Sequence, residues 1–162
     1  MRRIDARHRQ KRRKRPVSHG KPTPLLQTRF FEGGAHVSPD GRWIAYRSDE
    51  AGPFDLYIQS FPKIGHKVRV SRDGALGEWW MPGSDELCYL TPNSDAVMSV
   101  SLQRNGADLD PGEPRLLFRT PAGTNGIDFT QDGQRVLVSV PSAGEEARKL
   151  RVILDWTGLV KR

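Results

Sequence analysis

The chain has 162 residues, 36% apolar and 28% charged, with a formal net charge of +7; this is long enough for a domain with a real hydrophobic core and too apolar for wholesale disorder. A single cysteine, Cys88, excludes an internal disulfide and any multi-cysteine metal site. No apolar run reaches the ~18–20 residues that cross a bilayer as a helix, and no apolar stretch follows the N-terminal charges as a secretory signal requires, which favours the cytoplasm.

The basicity belongs to one end. Residues 1–15 hold nine Arg and Lys against one acid, Asp5, so this segment alone carries +8 and the rest of the chain −1. Residues 1–20 show no apolar periodicity and are expected to stay solvated and disordered. Such a run attracts nucleic-acid phosphates or an anionic membrane without specificity. The simpler expectation is a leader with no selected role.

Beyond residue 25 the pattern becomes short apolar runs between turn residues. Trp43–Ser48 reads as a strand. Phe54–Phe61 reads as another, with Phe54, Leu56 and Ile58 on one face and Asp55, Tyr57 and Gln59 on the other. Further strands are expected at Lys67–Val70, Glu86–Leu90, Ala96–Leu102, Arg115–Arg119, Ile127–Phe129, Arg135–Val140 and Leu150–Trp156. The connections carry Pro-Asp-Gly, Asp-Gly, Pro-Gly and Asn-Gly, which is turn chemistry. No window shows helical apolar spacing, so the chain is expected to be all-β.

Three segments repeat: His36–Tyr46 (HVSPDGRWIAY), Trp79–Tyr89 (WWMPGSDELCY) and Asp128–Val138 (DFTQDGQRVLV). Their turn positions Gly41, Ser84 and Gly133 lie 43 and 49 residues apart. A period of about 40–50 residues with four strands per unit is the period of a propeller blade. In Ser38-Pro39-Asp40-Gly41, Pro39 presets one φ and Gly41 is free to adopt a positive one. The middle copy has glycine one place early and Ser84 where glycine is wanted, so a distorted, slightly strained turn is expected there.

These segments resemble the WD-repeat-like propeller repeats of the TolB-like family, and are most similar to the C-terminal propeller of bacterial serine/threonine protein kinases. The resemblance rests on Ser38-Pro39-Asp40-Gly41-Arg42-Trp43-Ile44-Ala45-Tyr46, Asp55-Leu56-Tyr57-Ile58, Glu86-Leu87-Cys88-Tyr89-Leu90 and the chain end from Val152 to Leu159. It implies a partial β-propeller over residues 21–162, with about three four-stranded antiparallel blades near 30–71, 77–119 and 125–157. It also implies that Lys21–Thr28 is an orphan strand of a preceding blade, and that the chain begins inside a longer ancestral sequence, through a truncated gene or a misplaced start codon. Open blade edges are then expected to drive self-association.

The sequence offers no catalytic, cofactor-binding or metal site residue. The G-x-S-x-G elbow that follows the propeller in prolyl-peptidase relatives is absent, as are the protein-kinase motifs and the P-loop. His8, His19, His36 and His66 never pair at ligand spacing; His36 reads as structural and His66 as solvated. Asp40 and Asp132 occupy equivalent repeat positions and read as turn residues. Asp108 and Asp110 lack the spacing of a calcium loop and read as an ordinary loop. Tyr46, Trp79, Trp80 and Tyr89 read as blade packing, and Cys88 as a small core residue. The expected function is a non-enzymatic interaction or scaffold module with a protein partner and no cofactor. The alternatives are nucleic-acid binding through residues 1–15, and a remnant of a kinase or peptidase whose catalytic domain lies outside this chain.

Overall fold

The computed structural model describes residues 20–106, 108–140 and the backbone of 151–154. The described residues are all-β, as the turn spacing led one to expect, and contain no helix. Twelve strands follow one another: β1 (Glu32–Val37), β2 (Trp43–Ser48), β3 (Asp55–Ser60), β4 (Lys67–Arg69), β5 (Gly77–Trp80), β6 (Glu86–Leu90), β7 (Ala96–Asn105), β8 (Asp108–Pro111), β9 (Arg115–Arg119), β10 (Gly126–Phe129), β11 (Arg135–Ser139) and β12 (Arg151–Leu154). They form three antiparallel sheets: β1-β2-β3-β4; then β5-β6-β7-β8, with β9 also on β7; then β10-β11-β12. Sequential neighbours pair throughout the first and third sheets, because short turns join antiparallel strands without a crossover.

Side-chain alternation lets the middle sheet pack on both of its faces. Trp43 and Ala45 of β2 and Leu56 and Ile58 of β3 pack against Leu87, Tyr89, Val100 and Leu102 of the second sheet. The opposite face of the second sheet presents Cys88, Leu90 and Val97 to Val136 and Val138 of β11. Each Leu, Ile or Val side chain so removed from water contributes roughly 1.5–3 kcal/mol. On the far side of the first sheet Ile44, Tyr46 and Tyr57 are buried beneath Leu26 and Phe61, and the Lys67 Nζ lies 4.5 Å from the Tyr57 ring centroid.

Three expectations about elements are corrected. Lys21–Thr28 forms no strand: Pro22 and Pro24 lack the N–H groups a ladder needs, and the segment is held instead by Leu26 packing on the first sheet. Asp108 and Asp110 do not lie in an ordinary loop. They sit on β8, which exists because β7 runs three residues past Leu102 and offers Gln103, Arg104 and Asn105 as ladder partners. His66 is not simply solvated; its ring meets Trp43 edge-on at 6.4 Å, and its Nδ1 lies 3.6 Å from an Asp108 oxygen. Residues 1–19, and with them His8, His19 and the basic run, lie outside the described residues, as do 155–162.

The repeat turns share one clasp. In Ser38–Gly41 and Thr130–Gly133 the fourth amide donates to the first carbonyl, at 2.9 and 2.8 Å. The first hydroxyl donates to the turn aspartate, Asp40 or Asp132, and accepts from the amide five residues on, that of Trp43 or Arg135. Gly41 and Gly133 have φ of 72° and 68°. The middle turn, Met81–Ser84, avoids the strain expected at Ser84. The positive φ moves one place back to Gly83, at 69°, behind Pro82, as in a type II turn. The closing bond lengthens to 3.4 Å, and Met81 has no hydroxyl for the clasp.

A fourth copy, absent from the sequence reading, joins β6 to β7. Thr91 bonds to Asp95 and accepts from the Ala96 amide, and the Ser94 amide closes the turn on the Thr91 carbonyl at 2.9 Å. Here the left-handed position is filled by Ser94, at φ 54°, the one described non-glycine residue with positive φ. A side chain there costs roughly 1 kcal/mol. Ser94→Gly is therefore expected to raise stability by up to about 1 kcal/mol, read as a higher urea midpoint at unchanged m-value. An unchanged or lower midpoint would show that the turn tolerates serine without strain.

Candidate binding cleft

The strands β1, β5 and β10 each open a sheet, and each ends in the residue pair that precedes a repeat turn. These pairs are His36-Val37, Trp79-Trp80 and Asp128-Phe129, and they occupy equivalent places in the three repeats. All six residues line one open cleft of about 490 Å³, together with Pro82 and Ile127. The convergence follows from topology. A sheet that begins with its first strand at a shared edge places that strand's last two residues at the same height as their counterparts in the neighbouring sheets.

The cleft walls are braced from behind. Trp80 Nε1 donates to the His36 carbonyl at 2.9 Å, tying β5 to β1. Trp79 and Phe129 meet edge-to-face with centroids 6.2 Å apart, tying β5 to β10. Trp80 packs on the core between the first two sheets, and Trp79 on the core between the second and third. Reading these tryptophans as packing residues was half the story. Each is half-buried, with one part in a core and the rest on the cleft. Val37 is 46% exposed there. Among the described residues no cation lies within ion-pair distance of Asp128, whose carboxylate accepts only from the adjacent Phe129 amide, at 2.9 Å.

Next to the cleft, Arg104 of β7 reaches across the sheet boundary. Its guanidinium contacts Asp40 at 3.0 Å and Asp85 at 2.7 Å, so one side chain binds the turns of the first and second repeats. Burial pushes the Asp40 carboxyl up, but its bonds to Ser38, Arg42 and Arg104 outweigh this and hold it well below the usual carboxylate range. Asp40 is thus a turn residue, as its repeat position suggests, and also one end of an ion-pair bridge. Asp132 remains within its own turn, bonded to Thr130 and the Gln134 amide.

Deeper between the first two sheets, Glu78 of β5 is completely buried and lies 2.9 Å from the Arg47 guanidinium of β2. Neither Glu78 oxygen meets a donor in hydrogen-bonding geometry. Burial therefore dominates over Arg47 and pushes the carboxyl up to about 7. This pair is not legible in the sequence, since Glu78 sits in a short, otherwise apolar segment. A buried carboxyl on a strand that lines a cleft deserves notice as a titrating group, yet its oxygens face Arg47 and Gly34.

Neither Cys88 nor Ser38 is placed as a free nucleophile. Cys88 is fully buried, and burial pushes its thiol up to about 12. The Ser38 hydroxyl serves the first repeat turn. Among the described residues no group of three His, Cys, Asp or Glu gathers as a metal site, and no helix is long and apolar enough to cross a membrane.

No family model matches the chain. It is 25% identical over 126 residues to an uncharacterized protein of Agrobacterium fabrum, covering 72% of this chain and 42% of that protein. It is 25% identical over 122 residues to Dipeptidyl-peptidase 5 of Porphyromonas endodontalis, covering 70% of this chain and 17% of that protein. The chain spans less than half the length of either relative.

Proposed function

We propose that the chain is a run of β-propeller blades, of the TolB-like kind its repeats resemble, acting as a non-catalytic interaction module that binds a protein partner at the inner-strand cleft. The observation that carries this reading is the convergence of six residues, from two equivalent positions in each of three repeats, on one open cleft. Radial repetition is the way a propeller builds a central binding surface from one strand of each blade. The chain matches 17% of the length of a dipeptidyl-peptidase, and the hydrolytic chemistry named for that relative is not assigned to this chain.

The test is a selection of displayed protein fragments on the immobilised full chain, repeated with Val37→Glu. Val37 is exposed on the cleft, so the substitution leaves the cores intact while placing a charge among apolar walls. The expected result is enrichment of fragments on the native chain and a loss of at least tenfold in binding with Val37→Glu, at unchanged melting temperature. No enrichment, or enrichment indifferent to Val37→Glu, would refute the reading.

A further inference from the structure

The chemistry of the cleft narrows its ligand. Its walls are aromatic, from Trp79, Trp80 and Phe129, with Val37 and Ile127 beside them. Aromatic faces attract cations through their quadrupoles, and Trp does so best. Among the described residues the lining has one anionic group, Asp128, and no Lys or Arg. Asp128 is exposed and, like Asp49, Asp73 and Asp110, forms no ion pair with a described cation, whereas Asp40, Asp85, Asp95 and Asp55 each meet an arginine. An aromatic wall next to an unneutralised carboxylate suits a planar, weakly hydrated cation on an aliphatic stem. The guanidinium stacks on the rings and pairs with the carboxylate, while the stem lies along Val37 and Ile127. Among the described residues a carboxylate ligand meets no Lys or Arg in this lining, and a purely apolar ligand makes no use of the Asp128 charge.

We propose that the cleft recognises an arginine side chain presented by a peptide. This rests on the reading of the cleft as the binding surface and adds the class of group it takes. The cation is held by Asp128 and by the rings of Trp79 and Phe129, and the His36 and Val37 side of the cleft accommodates the peptide backbone.

The experiment titrates the full chain with N-acetylarginine amide and with its neutral isostere N-acetylcitrulline amide. Binding is followed on the indole N–H resonances of Trp79 and Trp80, assigned with Trp79→Phe and Trp80→Phe. The arginine probe is expected to move both resonances saturably, with a millimolar dissociation constant suited to so small a fragment. The citrulline probe is expected to bind at least tenfold more weakly. Asp128→Asn, on an exposed side chain outside the cores, is expected to bring the arginine affinity down to that of citrulline. Equal affinity for the two probes, or an unchanged affinity in Asp128→Asn, overturns the cation assignment and leaves the cleft as a binding surface. If neither probe shifts the resonances, the assignment fails, and the fragment selection with Val37→Glu decides separately on the binding surface.

Discussion

Asp55→Ala is expected to lower the stability of the fold by about 3 kcal/mol, a large share of the ~5–15 kcal/mol of a typical domain. Asp55 begins β3, and its side chain is completely buried. One oxygen accepts from the Ser71 hydroxyl at 2.8 Å and from the Gly74 amide at 3.1 Å. The other lies 2.7 Å from the Arg69 guanidinium. Ser71 in turn accepts from the Leu56 amide at 2.8 Å. One carboxylate thus fixes the connection that carries the chain from β4, in the first sheet, to β5, in the second. Alanine strands a buried hydroxyl and a buried amide, each costing roughly 1–3 kcal/mol. Arg69 is part-exposed and regains water, which keeps the total at the lower end for a broken buried pair. Asp55→Asn keeps an acceptor for Gly74 and Ser71 and is expected to cost about half as much. Urea unfolding measures both variants. A loss below about 1 kcal/mol in Asp55→Ala would show that the connection is held by packing alone.

The second large effect is a pH dependence. In the folded chain Glu78 binds its proton with a pKa of about 7, against the ordinary 4.5 of the unfolded chain. Between those values the folded state holds more protons than the unfolded state, so stability falls as pH rises. The contribution is fully present below about pH 4.5 and is lost by the time pH passes about 7. A shift of this size corresponds to a change on the order of 3 kcal/mol across the window. Glu78→Gln keeps the shape of the side chain and removes the titration. Thermal melts at closely spaced pH values from 4 to 8 should show a slope in the native chain that flattens in Glu78→Gln. Parallel profiles for the two proteins would exclude Glu78 as the source.

The elements visible in the sequence were those whose apolar residues alternate. The bounds of β2, β6 and β9 coincide with the expected segments, because Trp43–Ser48, Glu86–Leu90 and Arg115–Arg119 each carry side chains for a core. β1 is expected only as an inner strand around His36, without bounds, because Gly33 and Gly34 give it no pattern and its last three residues, Ala35, His36 and Val37, are exposed. β8 escaped notice because it is defined by backbone pairing, with Leu109 its single buried apolar side chain. The fourth clasp, at Thr91, was hidden by Ser94 standing where the other copies have glycine.

The cleft was legible only in part. The repeat alignment put His36, Trp79 and Asp128 in one column and Val37, Trp80 and Phe129 in the next, but a column of unlike residues carries no chemical signal by itself. Their shared cleft follows from the stacking of three sheets, which depends on long-range contacts. Arg104 and Glu78 were silent for the same reason. Each becomes informative only through a partner in another sheet, Asp40 for the first and Arg47 for the second.

The placement of the cleft pairs also bears on how such a chain diversifies. Every unit brings its own two wall residues at one fixed offset before its turn. Gain, loss or exchange of a whole unit by recombination therefore alters the wall in steps of two side chains, each pair arriving with its own turn. Between such events, drift at these two offsets alone can retune what the wall accepts. The freedom is unequal: Val37 and Asp128 are exposed, whereas Trp79, Trp80 and Phe129 also pack against the cores. In the first and third units ligand preference can therefore shift at Val37 or Asp128 with little effect on the fold, while in the second unit Trp79 and Trp80 carry both tasks at once.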